Sequence, residues 1–432
     1  MYRLTQQFTV TYSYPVVFSR DVFGQGEQAL LDILRRPAST SRALVVIDSE
    51  VARLTPGLLA GIEYFAHRHR EALEFVGPPL SVRGGEICKH DPVEVERIHA
   101  LIDEHGLCRH SYLIAIGGGA VLDAAGYAAG TAHRGIRLIR MPSTVLAQND
   151  AGIGVKNGVN AFGRKNFLGT FAPPFAVVND FALLKTLPPR DRAAGMAEAV
   201  KVALIRDAEF FATLWAERAA LAAFAPAALE RMIVRCAELH LEHIAKSGDA
   251  FESGSSRPLD FGHWAGHALE ELAKGELRHG EAVAIGMAID ALYSHRCGLL
   301  GALELQRILS LLEQLGLRLH HPALQRLDVA RALRGFQEHL GGELSIPLLE
   351  GIGRAIDVHE IDITLAAGCV AALAQRDAAR GANAHEQPRR AADDAVGARS
   401  AGPRVSRGAR PDSGGRSLPR PARPGARRRG RA

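Results

Sequence analysis

Three histidines and one glutamate are the residues of this sequence whose types and spacing best fit a metal site. His263 and His267 stand four residues apart in RPLDFGHWAGHALE, so a helix would place both on one face, and His279 precedes another helical pattern. Glu198 lies in GMAEAVKVALI, three residues before Lys201 and on the same helical face. One carboxylate and two imidazoles form a plausible three-ligand site for a divalent metal, with a position left open for substrate.

The same residues also have ordinary structural interpretations. A helical glutamate and lysine at this spacing normally form a surface pair, and a single histidine is more often structural than a ligand. The histidine pair is not an HExxH motif, because Trp264 follows His263. The combination of the four residues is what favours a metal site.

A glycine-rich turn predicts a phosphate-binding site. In AIGGGAVLDAAGYAA (Ala115–Ala129) a strand leads into three glycines and then into a helix. Glycine lets the backbone approach a phosphate closely, and a helix N-terminus offers free N–H groups. The spacing differs from GxGxxG, so a plain strand-to-helix turn remains an alternative. Asp48, at the end of a predicted strand, is placed either to bind a ribose or to cap a helix.

A polar, glycine-rich block at residues 141–174 has the composition of a substrate-binding segment. Its mixed donors and acceptors suit a polyhydroxylated anion, and lysine serves phosphate as a point charge. The residues concerned are Asp150, Lys156, Lys165 and Asn166. The alternative is a solvated loop, although loops of this length in compact domains are usually functional.

The elements that must position these residues follow an α/β pattern. Short buried strands alternate with helical patterns up to about residue 180, which predicts a parallel sheet. The predicted strands are Ala43–Ile47, Tyr112–Ile116, Ile136–Ile139 and Phe175–Val178, and the first twenty residues also alternate like a strand. Amphipathic segments then predict helices at Asp191–Leu204, Ala208–Ala223, Ala227–Lys246, His263–Lys274, Gly280–Cys297 and Ala302–Gln314.

We therefore expect an α/β, Rossmann-like N-terminal domain at 1–180, which would bind a dinucleotide, and a mostly α-helical domain at 181–375, which would bind metal and substrate. Residues 376–432 contain fifteen arginines and five acidic residues, a local charge of +10 that leaves −5 for the rest of the chain. This composition predicts a disordered basic tail. A nucleic-acid-binding arm is one interpretation, but without aromatic residues to stack on bases a dispensable extension is favoured.

Cysteine usage and hydropathy indicate where the protein works. Its five cysteines are scattered and contain no CxxC pair, which argues for a reducing compartment. The sequence shows neither an apolar run long enough for a membrane span nor the pattern of a signal peptide. We expect a cytoplasmic protein.

Together these segments resemble the sugar phosphate cyclases, the family of dehydroquinate synthase. The similarity runs from about Val45 to Met287 and continues faintly to about residue 365. In its motifs QNDAGIGVKNG and RPLDFGHW the chain most resembles the cyclase-like subfamily of ebo gene clusters. The resemblance implies NAD bound between a Rossmann-like domain and a helical domain, with a divalent metal, zinc or cobalt.

The resemblance also implies a role for each candidate residue. Glu198, His263 and His279 would bind the metal. NAD would be bound by Asp48, Glu86, Lys89, Gly118, Gly119, Asp123, Ser143, Thr144 and Leu146. The substrate would be handled by Asp150, Lys156, Lys165, Asn166, Lys201 and His267. Arg134 would reach the phosphate site of a neighbouring subunit, so a homodimer is implied.

The implied reaction converts a C7 sugar phosphate into a ring without net redox change. NAD oxidises a secondary alcohol that the metal polarises, and the resulting ketone acidifies the adjacent carbon. Phosphate is then eliminated, the hydride returns, and an intramolecular aldol step closes the ring.

Departures from the dehydroquinate synthase pattern concern the substrate carboxylate. Where that pattern has Arg-x-x-x-Asn before the first metal histidine, this chain reads SRPLD, ending at Asp260. A C-terminal double lysine is replaced by EHLGGELSIPL, which contains His339, and an upstream lysine has no counterpart near Glu242. Asp260 resembles the valiolone and gadusol cyclases, which take sedoheptulose 7-phosphate, although those usually lack the histidine kept here as His267. We expect a heptulose 7-phosphate as substrate rather than a heptulosonate phosphate, unless Arg257, one position from the family arginine, binds the substrate carboxylate in its place.

Two other functions share parts of this pattern. A metal-dependent alcohol or glycerol dehydrogenase would have the same fold, but a simple alcohol has no use for the lysines of KNGVN and GRKN. A non-catalytic accessory protein would have no physical need for a retained cluster of buried charges.

Overall fold

The buried strands predicted from the sequence form the middle of a parallel sheet in a computed structural model. The structure describes residues 1–36, 39–247, 249–251 and 258–386, with side chains up to residue 376. Its strands are β1 (Val16–Ser19), β2 (Ser41–Asp48), β3 (Leu73–Phe75), β4 (Leu80–Val82), β5 (Tyr112–Gly117), β6 (Arg137–Pro142), β7 (Lys156–Ala161), β8 (Arg164–Phe171), β9 (Ala176–Asp180), β10 (Ile346–Gly351) and β11 (Arg354–Val358). The α/β prediction for the first half is confirmed.

The seven-stranded sheet places its loops where a nucleotide can bind. Its order is β1-β9-β6-β5-β2-β3, with β4 also paired to β2, and the pairs are parallel. The chain runs from β2 to β3 on one side and returns to β5 on the other. The carboxyl ends of β2 and β5 therefore flank a switch point, the usual ligand position in open α/β sheets.

The strand predicted for the first twenty residues is confirmed only in part. Val16–Ser19 pairs in parallel with β9, at the edge of the sheet. Residues 1–15 have no regular secondary structure, so the expectation of a strand there is wrong for the single chain.

The second half is mostly helical, as expected. The helices are α1 (Glu27–Leu34), α2 (Ser49–Leu54), α3 (Leu58–Arg68), α4 (Ile87–His90), α5 (Val93–Glu104), α6 (Gly119–Thr131), α7 (Pro189–Arg206), α8 (Ala208–Ala222), α9 (Pro226–Lys246), α10 (His263–Ala273), α11 (His279–Arg296), α12 (Ala302–Gln314), α13 (Val329–His339) and α14 (Ile363–Glu386). In the described ranges, none of them is long and apolar enough to cross a membrane. α14 continues past residue 376, where the tail was expected to start, and residues 387–432 lie outside the described part.

Helices α7 and α11 lie at the centre of this half, and small residues let them approach their neighbours closely. A Cβ at Gly280 would stand 1.9 Å from the carbonyl oxygen of Ala194, and a Cβ at Gly286 would stand 1.9 Å from that of Gly262. Any larger side chain would therefore push α11 away from α7 or from the start of α10. These contacts bring three helices together at one point.

The polar block at residues 141–174 is an ordered structure, so the solvated-loop alternative is wrong. It contains a π-helical turn, Ala147–Ala151, and the antiparallel hairpin β7–β8. The fully buried Arg140 donates hydrogen bonds to the carbonyl oxygens of Gly152 (3.2 Å), Gly154 (2.7 Å) and Lys156 (2.8 Å). The guanidinium thus fixes the backbone between the turn and the hairpin.

Candidate active site

The three residues expected to bind metal converge at the meeting point of α7, α10 and α11. One ligand atom each from Glu198, His263 and His279 lies within 4.8 Å of the others. Glu198 is fully buried on α7, His263 begins α10 and His279 begins α11. The close approach of α11 to both other helices is what brings the side chains together.

The chemistry of this cluster fits a divalent metal ion. Oε1 of Glu198 is buried and receives no hydrogen bond from the described residues. Such an atom costs free energy unless a cation balances it. Burial holds the pKa of His263 well below its usual range, so the imidazole is neutral and able to coordinate. A carboxylate with two imidazoles is a common donor set for Zn²⁺.

Glu270, which sequence reasoning missed, orients one of these imidazoles. Nδ1 of His279 lies 3.0 Å from Oε2 of Glu270, while its Nε2 lies 3.8 Å from Oε1 of Glu198. A carboxylate behind a ligating histidine fixes the tautomer and the ring orientation. Burial alone would raise the pKa of Glu270, but the hydrogen bond and charge of His279 lower it to about 2. The available signal was spacing, since Glu270 follows His263 by two helical turns.

Lys201 forms a buried ion pair with Glu198, so the surface-pair interpretation is wrong. The exposed fractions of the two side chains are 3% and 0%. Burial alone would lower the pKa of Lys201, but the carboxylates of Glu198, Asp150 and Asp260 raise it instead. Asp150 lies 3.5 Å from His240, another residue that sequence reasoning missed. The ammonium group of Lys201 therefore balances part of the negative charge of Glu198, Asp150 and Asp260.

His267 stands beside the cluster. Its ring centroid lies 5.3 Å from that of His263, 6.0 Å from that of His279 and 5.9 Å from that of His339. Burial and the neighbouring His279 lower the pKa of His267 to about 3. His339 therefore reaches this centre from α13, where the dehydroquinate synthase pattern would supply lysines.

The residues expected at NAD lie around the carboxyl ends of β2 and β5. The Asp48 carboxylate accepts a hydrogen bond from the N–H of Glu50 and caps α2, as its alternative interpretation predicted. A Cβ at Gly84 would stand 2.4 Å from Oδ2 of Asp48, so the loop after β4 passes directly over this carboxylate. Gly118 and Gly119 begin α6, with their N–H groups at the positive end of the helix.

A second group of expected cofactor residues is joined to the hairpin. Lys89 Nζ lies 2.7 Å from Oδ2 of Asp123 and also contacts Oδ1 of Asn166 on β8. Oε1 of Glu86 accepts a hydrogen bond from Nδ2 of Asn160 at 2.9 Å. Asn166 therefore lies among the expected cofactor residues.

The remaining expected cofactor residues follow β6. Ser143 is buried, and its Oγ has no hydrogen-bond partner in the described part of the chain. Oγ1 of Thr144 accepts a hydrogen bond from the N–H of Ala147, and Leu146 precedes the π-helical turn. A buried hydroxyl without a partner, next to the glycine turn, is the feature that best fits a polar ligand here.

The other residues expected to bind substrate are more exposed. Lys165 Nζ lies 3.4 Å from Oε1 of Glu270, and its side chain is 54% exposed. Lys156 is exposed at the start of β7. Arg134 is exposed in a left-handed turn after α6 and, among the described residues, forms no contact with this centre. Ser256 and Arg257 lie outside the described residues.

Comparison with known proteins agrees with this geometry. Residues 79–194 match the family 3-dehydroquinate synthase N-terminal, and residues 195–338 match 3-dehydroquinate synthase C-terminal. A 2-epi-5-epi-valiolone synthase from Streptomyces glaucescens is 38% identical over 62% of this chain and 69% of its own. A 3-dehydroquinate synthase from Dichelobacter nodosus is 40% identical over 65% of this chain and 76% of its own.

A solved structure is similar over its whole length. ValA, a 2-epi-5-epi-valiolone synthase from Streptomyces hygroscopicus with NAD⁺ and Zn²⁺ bound, has a TM-score of 0.76 and 32% identity, covering 87% of this chain and 100% of its own. Fold and site thus define an enzyme class that combines a parallel-sheet α/β domain with a mostly helical C-terminal part. The chain belongs to the sugar phosphate cyclases, the family of dehydroquinate synthase.

Proposed function

We propose that this protein is an NAD- and metal-dependent carbon–oxygen lyase that eliminates phosphate from a heptulose 7-phosphate and closes the carbon ring. The observation that carries the proposal is the convergence of Glu198, His263 and His279 beside the buried Lys201. Valiolone synthase and 3-dehydroquinate synthase are similar to the chain at nearly equal identity, 38% and 40%, so the choice of a heptulose rests on Asp260 and on the structural match to ValA. The roles of the domains at 1–180 and 181–375, and a cytoplasmic location, are part of the same proposal.

The bound groups and the side chains would divide the chemistry. When bound, NAD would accept and return a hydride, and Zn²⁺ or Co²⁺ on Glu198, His263 and His279 would polarise a substrate oxygen. Lys201 and Asp150 would hold ring hydroxyl groups, because each can form charge-assisted hydrogen bonds. The remaining NAD contacts would be those expected at Asp48, Gly118 and Ser143 and their neighbours.

Phosphate would be held by the exposed cations. Lys165 is half-exposed and its Nζ lies 3.4 Å from Oε1 of Glu270, so the ammonium group can turn toward an anionic substrate. Lys156 lies at the start of the same hairpin, and Asn166 lies on β8 with Lys165. We further propose a homodimer in which Arg134 of one protomer reaches the phosphate site of its partner.

The substrate is proposed from the charge near the metal cluster. Asp260 lies close enough to Lys201 to raise the pKa of that lysine. A substrate carboxylate placed there would meet a like charge rather than the amide of the dehydroquinate synthase pattern, and burying an unpaired anion costs several kcal/mol. A heptulose 7-phosphate, which has no carboxylate at that position, avoids this cost.

Incubation with NAD and Zn²⁺ and either sedoheptulose 7-phosphate or the heptulosonate phosphate tests the proposal. We expect phosphate release and a cyclic product from the heptulose, with kcat/KM about tenfold or more above that for the heptulosonate. A higher kcat/KM for the heptulosonate would contradict the substrate assignment. An Asp260→Asn variant should shift the ratio toward the heptulosonate, because it removes the like charge.

The dehydrogenase alternative has less support. Glycerol dehydrogenases share the fold at 21% identity or lower, which shows the fold alone. Reduction of free NAD⁺ by glycerol, in the absence of a sugar phosphate, would be the result that favours it.

A further inference from the structure

The first twelve residues have the pattern of a strand with one apolar face, yet they form no strand in the single chain. Their even positions hold Tyr2, Leu4, Phe8, Val10 and Tyr12, and Gln6 is the exception. These apolar side chains are between 56% and 89% exposed. A period of two in which only one face is apolar is typical of a strand that packs on another surface.

The hairpin presents an open strand edge with apolar side chains. In the described part of the chain, β8 pairs along one edge only, with β7. Phe167, Leu168 and Phe171 on β8 are 49%, 41% and 55% exposed, and Phe162 in the turn is 85% exposed. An apolar strand with a free edge is a template for pairing with another chain.

The two features meet at one end without pairing. The ring centroid of Tyr12 lies 6.0 Å from that of Phe251, which lies 5.4 Å from that of Phe171 at the end of β8. Residues 1–11 of the same chain could continue along β8 from this point, but they do not pair with it. The chain therefore leaves both its own strand pattern and its own open edge unsatisfied.

We propose that residues 2–12 of one protomer add as a strand to the free edge of β8 in a second copy of this chain. Strand and edge belong to the same sequence, so two reciprocal contacts close a symmetric dimer and cover both apolar surfaces. The inference rests on the homodimer of the proposed function and specifies how it forms. A strand that pairs within its own chain, or with a different protein, is an alternative outcome of the test.

This interface would connect assembly to the active site. β8 carries Lys165 and Asn166, and it is exposed over nearly its whole length although its partner β7 is largely buried. A third strand from the partner would fix both side chains. The turn with Arg134 follows α6, and α6 packs closely against β8, because a Cβ at Gly130 would stand 3.0 Å from Oγ1 of Thr170. The turn that would reach the partner's phosphate site therefore lies next to the same hairpin.

Matched charge substitutions on the two faces of the segment test the proposal. In the full chain, Val10→Asp places a charge on the apolar face, whereas Thr9→Asp places it on the polar face. We expect sedimentation equilibrium to show a dimer for the unsubstituted protein and for Thr9→Asp. Val10→Asp should weaken the dimer by about 100-fold in dissociation constant, because a buried unpaired carboxylate is costly.

The reciprocal variant Phe167→Asp, on the β8 side, should weaken the dimer similarly. Equal melting temperatures at the lowest protein concentration would show that the variants fold. A monomeric unsubstituted protein at micromolar concentration, or a Val10→Asp dimer as tight as that of the unsubstituted protein, would overturn the proposal. Mass is measured here rather than turnover, so this result is independent of the proposed reaction.

Discussion

The helical centre and the β7–β8 hairpin supply the two halves of the candidate site in opposite ways. At the centre, Glu198 is fully buried and His263 is 6% exposed, and three helices fix them through backbone contacts. On the hairpin, β8 is exposed over nearly its whole length, and Lys165 reaches the centre through a 3.4 Å contact between its Nζ and Oε1 of Glu270. One half is fixed by packing and the other is supported by few contacts.

This difference indicates a division of labour. A metal site needs ligand positions that do not change during turnover, and packed helices provide them. A substrate that enters and leaves needs side chains that can exchange partners, and exposed lysines can do so at little cost. Substitutions at the centre should therefore abolish metal binding, whereas those on the hairpin should alter only substrate affinity.

The largest expected effect is that of Glu198→Gln. The amide keeps the volume but removes the charge, and it takes away one of the three carboxylates beside the buried Lys201, the one that forms its ion pair. Loss of a supporting residue around a metal typically weakens binding by 10–100-fold, so loss of a ligand should exceed about 100-fold. Elemental analysis and Zn²⁺ titration measure this.

Glu271→Gln is the matched control, because Glu271 is exposed on α10 next to Glu270. We expect it to retain full metal content. A Glu198→Gln protein with the same metal content as this control would contradict the site assignment and remove the contrast between centre and hairpin.

A smaller effect is expected from Lys165→Met. Loss of one exposed ammonium from a phosphate site should lower kcat/KM by about tenfold, mainly through KM, while metal content stays unchanged. Arg164→Met, one residue earlier on β8, is the control and should have little effect. If Lys165→Met lost metal, the contact of Lys165 with Glu270 would be supporting the metal site. The contrast between the packed centre and the exposed hairpin would then fail.

The central sheet and the long helices could be predicted from the sequence because burial is encoded locally. Continuous apolar runs such as Tyr112–Ile116 and amphipathic segments such as Ala302–Gln314 need no knowledge of their partners. The hairpin could not be recognised, because β8 is exposed on both faces and its apolar residues Phe167, Leu168 and Phe171 do not alternate regularly with polar ones. Residues 2–12 show the opposite case, because their apolar side chains alternate as in a strand although no described strand of the same chain pairs with them.

The site could be predicted where residue type and sequence spacing both point to a function, as for His263 and His267, four residues apart on one helical face. That Glu198 is buried depends on Gly280 and Gly286, whose role appears only when α7, α10 and α11 are packed. His240 lies on α9, whose sequence contains two histidines, and nothing local distinguishes the one that faces Asp150. Such residues are selected by tertiary contacts that the linear pattern does not contain.

Asp290 supports the centre from behind, and we expect the smallest effect there. Its buried carboxylate accepts hydrogen bonds from the N–H of Gly262 at 2.8 Å and from Nε1 of Trp264 at 2.7 Å, the two residues that flank His263. Burial raises its pKa to about 7. A carboxyl group whose pKa is raised on folding contributes stability at low pH, and that contribution is lost as pH rises toward 7.

Asp290→Asn should therefore lower the melting temperature by about 3 °C at pH 5, where the carboxyl group is protonated, because a hydrogen bond of about 1 kcal/mol is weakened. At pH 8 the difference should shrink or reverse, since the unsubstituted protein then buries a charge that the amide lacks. Asp328→Asn is the control, because asparagine caps α13 as well as aspartate does and the offset should not change with pH. Melting curves of the three proteins between pH 5 and pH 8 measure this. If the melting temperature of Asp290→Asn fell further below that of the unsubstituted protein as pH rises, the ionised carboxylate would be stabilised by its two hydrogen-bond donors. The centre would then tolerate a buried charge behind His263 as readily as the hairpin tolerates exposed charges.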